Sequence, residues 1–180
     1  MEDNYTIRVA TNKDLKDIMK IEFSCFKLEI CEKEEVFLER IEIFNDGFYV
    51  VEKNDTVVGY ISTEIWEYEE KIDSKWFDLG HSISQLHNPN GTELYISSMG
   101  LLPNYRGKGL GKEIFLKSTD LIVNKYNNIK SQILIVSEKW DSARKIYKQN
   151  NYIELMKIEN FFKYKNNYKE NGIVMRKHCI

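Results

Sequence analysis

Six consecutive residues, Arg106-Gly107-Lys108-Gly109-Leu110-Gly111, constrain the fold of this chain more than any others. They join a strand-like run over residues 94–102 to an amphipathic pattern that begins near Leu110. Glycines at 107, 109 and 111 remove the β-carbons that would hold a ligand off the backbone, and the following N–H groups lead into a helix N-terminus with partial positive charge. Arg106, Lys108 and Lys112 add full charges, so the segment is suited to hold a phosphate. A Walker loop ends in Gly-Lys-Ser/Thr, and Gly111-Lys112-Glu113 lacks the hydroxyl. A dinucleotide loop needs Gly-x-Gly-x-x-Gly, and the spacing here is Gly-x-Gly-x-Gly. A glycine-rich turn that only caps a helix stays open at this point.

The form Arg-x-x-Gly-x-Gly, following a strand that ends in Leu102-Pro103, resembles the pyrophosphate loop of the GNAT family of acetyl-CoA-dependent N-acetyltransferases. That family typically follows its loop helix with an apolar strand and then Asn-x-x-Ala-x-x-x-Tyr-x-x-x-Gly-Phe. Here residues 131–137, SQILIVS, supply the strand, and Ala143, Tyr147 and Tyr152 fall in register with the motif. Asn151 stands where the family has a helix-ending Gly, a mild change because Asn tolerates the left-handed conformation. Trp140 stands where the family has Asn, which alters one contact to the cofactor. The resemblance implies an α/β (α+β) domain with a GNAT-type mixed central β-sheet of six to seven strands, flanked by helices and splayed open at the acetyl-CoA site. It covers nearly the whole chain.

Composition agrees with one domain spanning residues 1–180, which is long enough to enclose a well-developed core. A hydrophobic content of 42% with two prolines argues against disorder. Met1 to Asn4 lack a basic-then-apolar leader pattern, and no apolar run reaches membrane-spanning length, so a cytoplasmic protein without a membrane partner is expected. Cys25, Cys31 and Cys179 are too few and scattered for a disulfide framework or a zinc site, so no metal is expected. A net charge of −2 offers no global basic footprint for nucleic acid. A monomer or a homodimer is compatible with all of this.

Periodicity gives the element order β-α-α-β-β-β-α-β-α-β-β. Residues 5–10 alternate as a first strand, and Thr11 with Asp14 resembles a capping box. Leu15, Ile18, Ile21 and Cys25 form the stripe of a first helix, and Phe37, Ile41 and Phe44 that of a second over about 32–44. Residues 48–53 and 56–64 read as a hairpin around Asn54-Asp55. Leu110, Ile114, Ser118, Leu121 and Ile122 are expected on the buried face of the loop helix, and two late strands near 152–163 and 172–177 complete the chain. The connection over 67–92 is longer than most loops, and Leu79, Ile83 and Leu86 with Asp78 as a cap suggest a short helix there. In the family this region lies near the acceptor.

Acetyl transfer to an amine needs a base to free the nitrogen, donors for the thioester oxygen and an acid for the leaving sulfur. The resemblance makes Tyr147 the acid and places the splayed strand at Met99, Gly100 and Leu101. It assigns acetyl-CoA to those three together with Arg106, Gly107, Lys108, Gly109, Leu110, Gly111, Lys112 and Trp140. Glu93 lies thirteen residues before Arg106, the offset of the glutamate base in enzymes resembling bacterial ribosomal-protein N-terminal acetyltransferases, and is the leading base; Glu64 is the reserve. His81 and His87 have a suitable titration range, although a loop histidine is more often just solvated. Residues 29–70 carry thirteen Asp and Glu against Lys33, Arg40 and Lys53, which either forms a solvated helical face or favours a cationic acceptor such as a small amine or a peptide N-terminus. The alternative from another class is a non-catalytic acyl-CoA-binding module acting as a sensor.

Overall fold

The computed structural model describes residues 5–179; Met1 to Asn4, on which the leader expectation rests, and Ile180 lie outside the described residues. Seven strands form one mixed sheet in the order β1-β2-β3-β4-β5-β7-β6. They are β1 (Thr6–Val9), β2 (Phe48–Lys53), β3 (Thr56–Trp66), β4 (Glu93–Leu101), β5 (Ser131–Ser137), β6 (Ile153–Lys163) and β7 (Lys169–His178). The helices are α1 (Leu15–Cys25), α2 (Glu34–Ile43), α3 (Leu110–Lys125) and α4 (Asp141–Gln149). The mixed sheet flanked by helices and the element order match the expectation from sequence.

Alternation decides which helices cover which face. Phe48, Val50 and Tyr60 pack against Ile18, Ile21 and Phe37 of α1 and α2. Val51, Val58 and Leu101 face Leu110 and Ile114 of α3 on the other side, and Phe115 joins Tyr147 of α4 there. The β2–β3 hairpin turns at Asn54 and Asp55, both with positive φ (50° and 58°), a geometry these two residue types tolerate. Asp14 starts α1 by accepting from the Thr11 N–H at 2.8 Å and from Arg8 at 2.8 Å. Asn151, with φ 68°, takes the left-handed position after α4.

Two details position the site. Only Glu93 to Ile96 of β4 pair with β5, in parallel register from Glu93↔Ser131 to Ile96↔Leu134. Beyond Ile96, β4 stays with β3 while β5 continues on β7 from Ile135 to Ser137, so the two strands part and leave a V in the sheet. The second detail is a β-bulge: Ser62↔Ser98 is followed by Thr63↔Ile96, which leaves Ser97 as the extra residue of β4. A bulge reverses the alternation beyond it. Ser98 and Gly100 therefore share the α1 face with Tyr95, while Met99 and Leu101 turn to the α3 face.

Three expectations are corrected. Leu121 is 47% exposed, whereas Leu110, Ile114, Ser118 and Ile122 are buried as expected and Phe115 and Thr119 complete the buried face of α3. No α-helix forms over 67–92; the segment makes two single turns, Ser74–Phe77 and Ile83–Gln85. The turn within the expected helix, Ile83–Gln85, starts from Ser82 without a side-chain cap, so Asp78 does not cap it; Asp73 caps the other turn by accepting from the Lys75 N–H at 3.0 Å, and Leu79 is 44% exposed. Among the described residues, no helix is long and apolar enough to cross a membrane.

Candidate active site

The V between β4 and β5 opens into a cleft of about 870 Å³ whose floor is the start of α3. Gly107 and Gly109 adopt φ of 80° and 83°, and a β-carbon at either would meet no protein atom within 4 Å. These glycines thus take a left-handed backbone that L side chains rarely adopt, with open space beside it, and Gly109 is the residue from which α3 starts. Arg106 donates from Nε to the Leu101 carbonyl at 2.8 Å, which ties the loop to the end of β4, and from Nη2 to Cys25 Sγ at 3.0 Å. Lys112 and Lys139 add positive charge to the lining. The cleft, its glycine cradle and its cations fit a long anionic acyl-CoA.

Of the residues expected to hold the cofactor, Met99, Leu101, Arg106, Gly107, Gly109, Gly111, Lys112 and Trp140 line this cleft. Lys108 is exposed and Leu110 buried, and neither lines it. Gly100 is explained by packing instead: a β-carbon there would lie 2.7 Å from Tyr60 Cε1 and 2.9 Å from Ile21 Cγ2. Tyr147 lines the cleft from α4, its ring centroid 5.2 Å from Phe115 and 5.8 Å from Tyr152. Burial pushes its hydroxyl up to about 12, so the phenol keeps its proton at neutral pH. Phe26 and Ser142 also line the cleft without any local sequence signal marking them.

A second, narrower cavity of about 70 Å³ opens on the α1 face of the sheet. It shares Phe26, Met99 and Trp140 with the first, so the two spaces meet where the strands part. Trp140 packs, tilted by 39° to each, between Phe26 (5.5 Å) and Phe162 (5.2 Å), joining α4 to the end of α1 and to β6. The remaining wall combines the aromatic rings of Phe77 and Tyr95 with the acids Glu22, Glu32 and Asp78, the His81 imidazole, and aliphatic and hydroxyl side chains.

Glu93 does not reach either space. It is 2% exposed, and its carboxylate is closed by Arg176, with Nε to Oε1 at 2.6 Å and Nη2 to Oε2 at 2.8 Å, and by Ser131 Oγ at 2.8 Å. Arg176 also donates to the Glu69 carbonyl at 2.8 Å and lies over the Tyr68 ring, so this pair fastens the start of the 67–92 segment to the sheet. The sequence offset identifies the strand but says nothing of Arg176, which arrives from β7.

Glu64 and His81, by contrast, are brought together. His81 Nε2 lies 2.8 Å from Glu64 Oε1 and its Nδ1 lies 2.9 Å from the Asp78 carbonyl. Two acceptors facing both ring nitrogens favour the imidazolium. Burial alone would push His81 down, but the bond to Glu64 and its charge outweigh burial and raise its pKa. Burial likewise opposes ionisation of Glu64, yet His81, Arg40 and the Trp66 Nε1 donor at 2.9 Å hold it below the usual carboxylate range. His87 is half-buried: Nδ1 accepts from the Ile65 N–H at 3.1 Å, and burial lowers its pKa.

Residues 13–152 match the family model described as the acetyltransferase (GNAT) family. The uncharacterized N-acetyltransferase YkwB of Bacillus subtilis is 26% identical over 126 residues, covering 67% of this chain and 56% of that protein. The chain thus spans little more than half the length of that relative. Among solved structures, the loading GNATL domain of CurA from Lyngbya majuscula superposes with a TM-score of 0.81 at 13% identity, covering 97% of this chain and 98% of that one. The ribosomal-protein-S18-alanine N-acetyltransferase from Escherichia coli superposes with a TM-score of 0.73 at 15% identity, covering 97% and 94%. At such identities the likeness is one of fold.

Proposed function

This chain belongs to the acetyltransferase (GNAT) family, and from that premise we propose that it transfers an acetyl group from acetyl-CoA directly to a primary amine. The observation that carries this reading is the meeting of two unlike spaces at Phe26, Met99 and Trp140: a glycine-and-cation cleft for the donor, and an acid-and-aromatic cavity for the acceptor. Bound acetyl-CoA would supply the activated acyl group. The loop before α3 holds the phosphates, and Met99 and Leu101 line the space for the acyl arm. Tyr147, facing the same cleft from α4, holds the proton that a leaving sulfur requires. Acceptors with an amine on a slender, partly apolar stem suit the narrow cavity, because its carboxylates attract the cation while its rings exclude water. A small-molecule amine and the N-terminus of a peptide both meet that description. The test is release of free CoA from acetyl-CoA on adding ethylamine, phenethylamine, spermidine or a basic tetrapeptide. Amine-dependent release supports transfer; tight acetyl-CoA binding without any amine-dependent release would mark a sensor module instead.

A further inference from the structure

We propose that Glu22 is the proton acceptor for the attacking amine, reached from the acceptor cavity both at its own edge of the wall and through a hydrogen-bonded chain formed by Ser98 and Tyr60. The proposal rests on the N-acetyltransferase reading above. Ser98, on β4 beside Met99, lines the cavity next to the point where the two spaces meet. Its Oγ lies 2.8 Å from the Tyr60 hydroxyl, and Tyr60 in turn donates to Glu22 Oε2 in a short hydrogen bond. The bulge at Ser97 is what turns Ser98 onto this face. Three hydroxyl or carboxyl groups from β4, β3 and α1 thus form an unbroken path between the cavity and a buried carboxylate.

The neighbouring groups leave this role to Glu22. Glu93 is closed by Arg176 and Ser131. Glu64 is occupied by His81 and Trp66, and both nitrogens of His81 face acceptors. Glu32 pairs with Arg40 at 3.3 Å. Ser97 Oγ is spent on the Ser62 carbonyl at 3.0 Å, and Asp78 sits exposed at the rim. Glu22, 1% exposed, has no ion pair among the described residues; its partners are the neutral Tyr60 hydroxyl and the Glu32 N–H at 2.8 Å. Three buried carboxylates, Glu22, Glu32 and Glu64, therefore face one guanidinium, Arg40, and one imidazolium, His81. The uncompensated anion is Glu22. Burial raises its pKa, partly opposed by the bonds from Tyr60 and Glu32 N–H and by Arg40 and reinforced by the Glu32 charge, which moves it toward the range where a base works near neutral pH.

In the step itself the amine nitrogen bonds to the acyl carbon and the carbon–sulfur bond breaks. One N–H proton passes to Ser98 Oγ as the Ser98 proton passes to Tyr60 and the Tyr60 proton to Glu22. Tyr147 gives its hydroxyl proton to the sulfur. The result is an amide, a free thiol, a protonated Glu22 and a Tyr147 phenolate, and the last two are restored by proton exchange with water.

The test uses the full chain, with the fastest acceptor among the four amines named above, and compares the parent with Glu22→Gln and Tyr60→Phe. In the parent, kcat/KM falls on the acid side with a limb set by Glu22. Glu22→Gln should lose that limb and about 10²- to 10⁴-fold in kcat, with the dissociation constant for acetyl-CoA unchanged. Tyr60→Phe removes a bond that lowers the Glu22 pKa, so the limb should move to higher pH while kcat falls less. In the unloaded protein, the 13Cδ resonance of Glu22 should titrate at the midpoint of the limb and move with it in Tyr60→Phe. Glu32, Arg40, Tyr60, Cys25, Cys31, Ser98, Asp78 and His81 surround the group, and none of them changes in Glu22→Gln. A folded Glu22→Gln that keeps the parent's limb overturns the relay. If Glu22→Gln does not fold, a limb and resonance unmoved in Tyr60→Phe overturn it. If the parent releases no CoA with any amine, the transfer reading fails first and takes the relay with it.

Discussion

Tyr147 has a hydroxyl that bonds to no other described residue and a ring fixed between Phe115 and Tyr152. A group held by its ring and unengaged at its oxygen can be tested cleanly by removing the oxygen alone. Tyr147→Phe should keep acetyl-CoA binding and lower turnover by roughly ten- to a thousandfold, as for a lost general acid. Because burial pushes its pKa up to about 12, Tyr147 should contribute no alkaline limb to the rate below that value; a limb near pH 8 that disappears in Tyr147→Phe would contradict this. Glu93 is the counterpart whose loss is structural. Glu93→Gln leaves Arg176 buried without its anion, at a cost of about 3–5 kcal/mol, which lowers the melting temperature of a chain this size by roughly 10 °C. The acid limb of kcat/KM should stay where it is. A shifted limb with unchanged melting would return Glu93 to the chemistry.

At the level of elements, the loop before α3 and the 67–92 segment make separate demands. Gly109→Val would mix the strain of a positive φ with any loss of ligand. Gly111→Val is the cleaner probe, since its β-carbon would sit 3.7 Å from Leu101 Cδ2, an ordinary contact. It should melt as the parent does and bind acetyl-CoA at least about 100-fold more weakly, the equivalent of one or two lost charge-assisted hydrogen bonds. Calorimetry showing an unchanged dissociation constant would remove the phosphate cradle. The 67–92 segment is held by Glu64 and His81, whose pKa values move apart on folding. His81 is raised, so its contribution is full below the ordinary histidine value and is lost as pH rises through the folded one. Glu64 is lowered, so its contribution is present above the ordinary glutamate value and is lost as pH falls through the folded one. Amide protection over 67–92 should therefore fall as pH rises past the His81 value, and His81→Gln should remove that dependence. The loop, the helix stripes and the strands were legible in sequence because each is written in glycine spacing or periodicity within a dozen residues. Glu22–Tyr60 and Glu93–Arg176 were not, since they join residues 38 and 83 positions apart. The bulge at Ser97 was hidden too, and strict alternation would have placed Met99 on the wrong face.

Across the whole molecule, the parting of β4 from β5 after Ile96 converts a continuous sheet into one with two faces that communicate through a gap. α3 and α4 line the larger cleft on one side; α1, β4 and the 67–92 segment line the smaller cavity on the other. Family membership implies acyl-CoA-dependent acyl transfer, and direct transfer between two partners held at once is the form proposed for it. The measurement that bears most directly on this is the initial rate of CoA release with acetyl-CoA and a primary amine varied together, with the acetylated amine identified by mass spectrometry. Intersecting double-reciprocal lines and one acetylated product per CoA released are expected. Parallel lines with an acetylated protein intermediate, or acetyl-CoA that binds and is never consumed by any amine, would contradict the account.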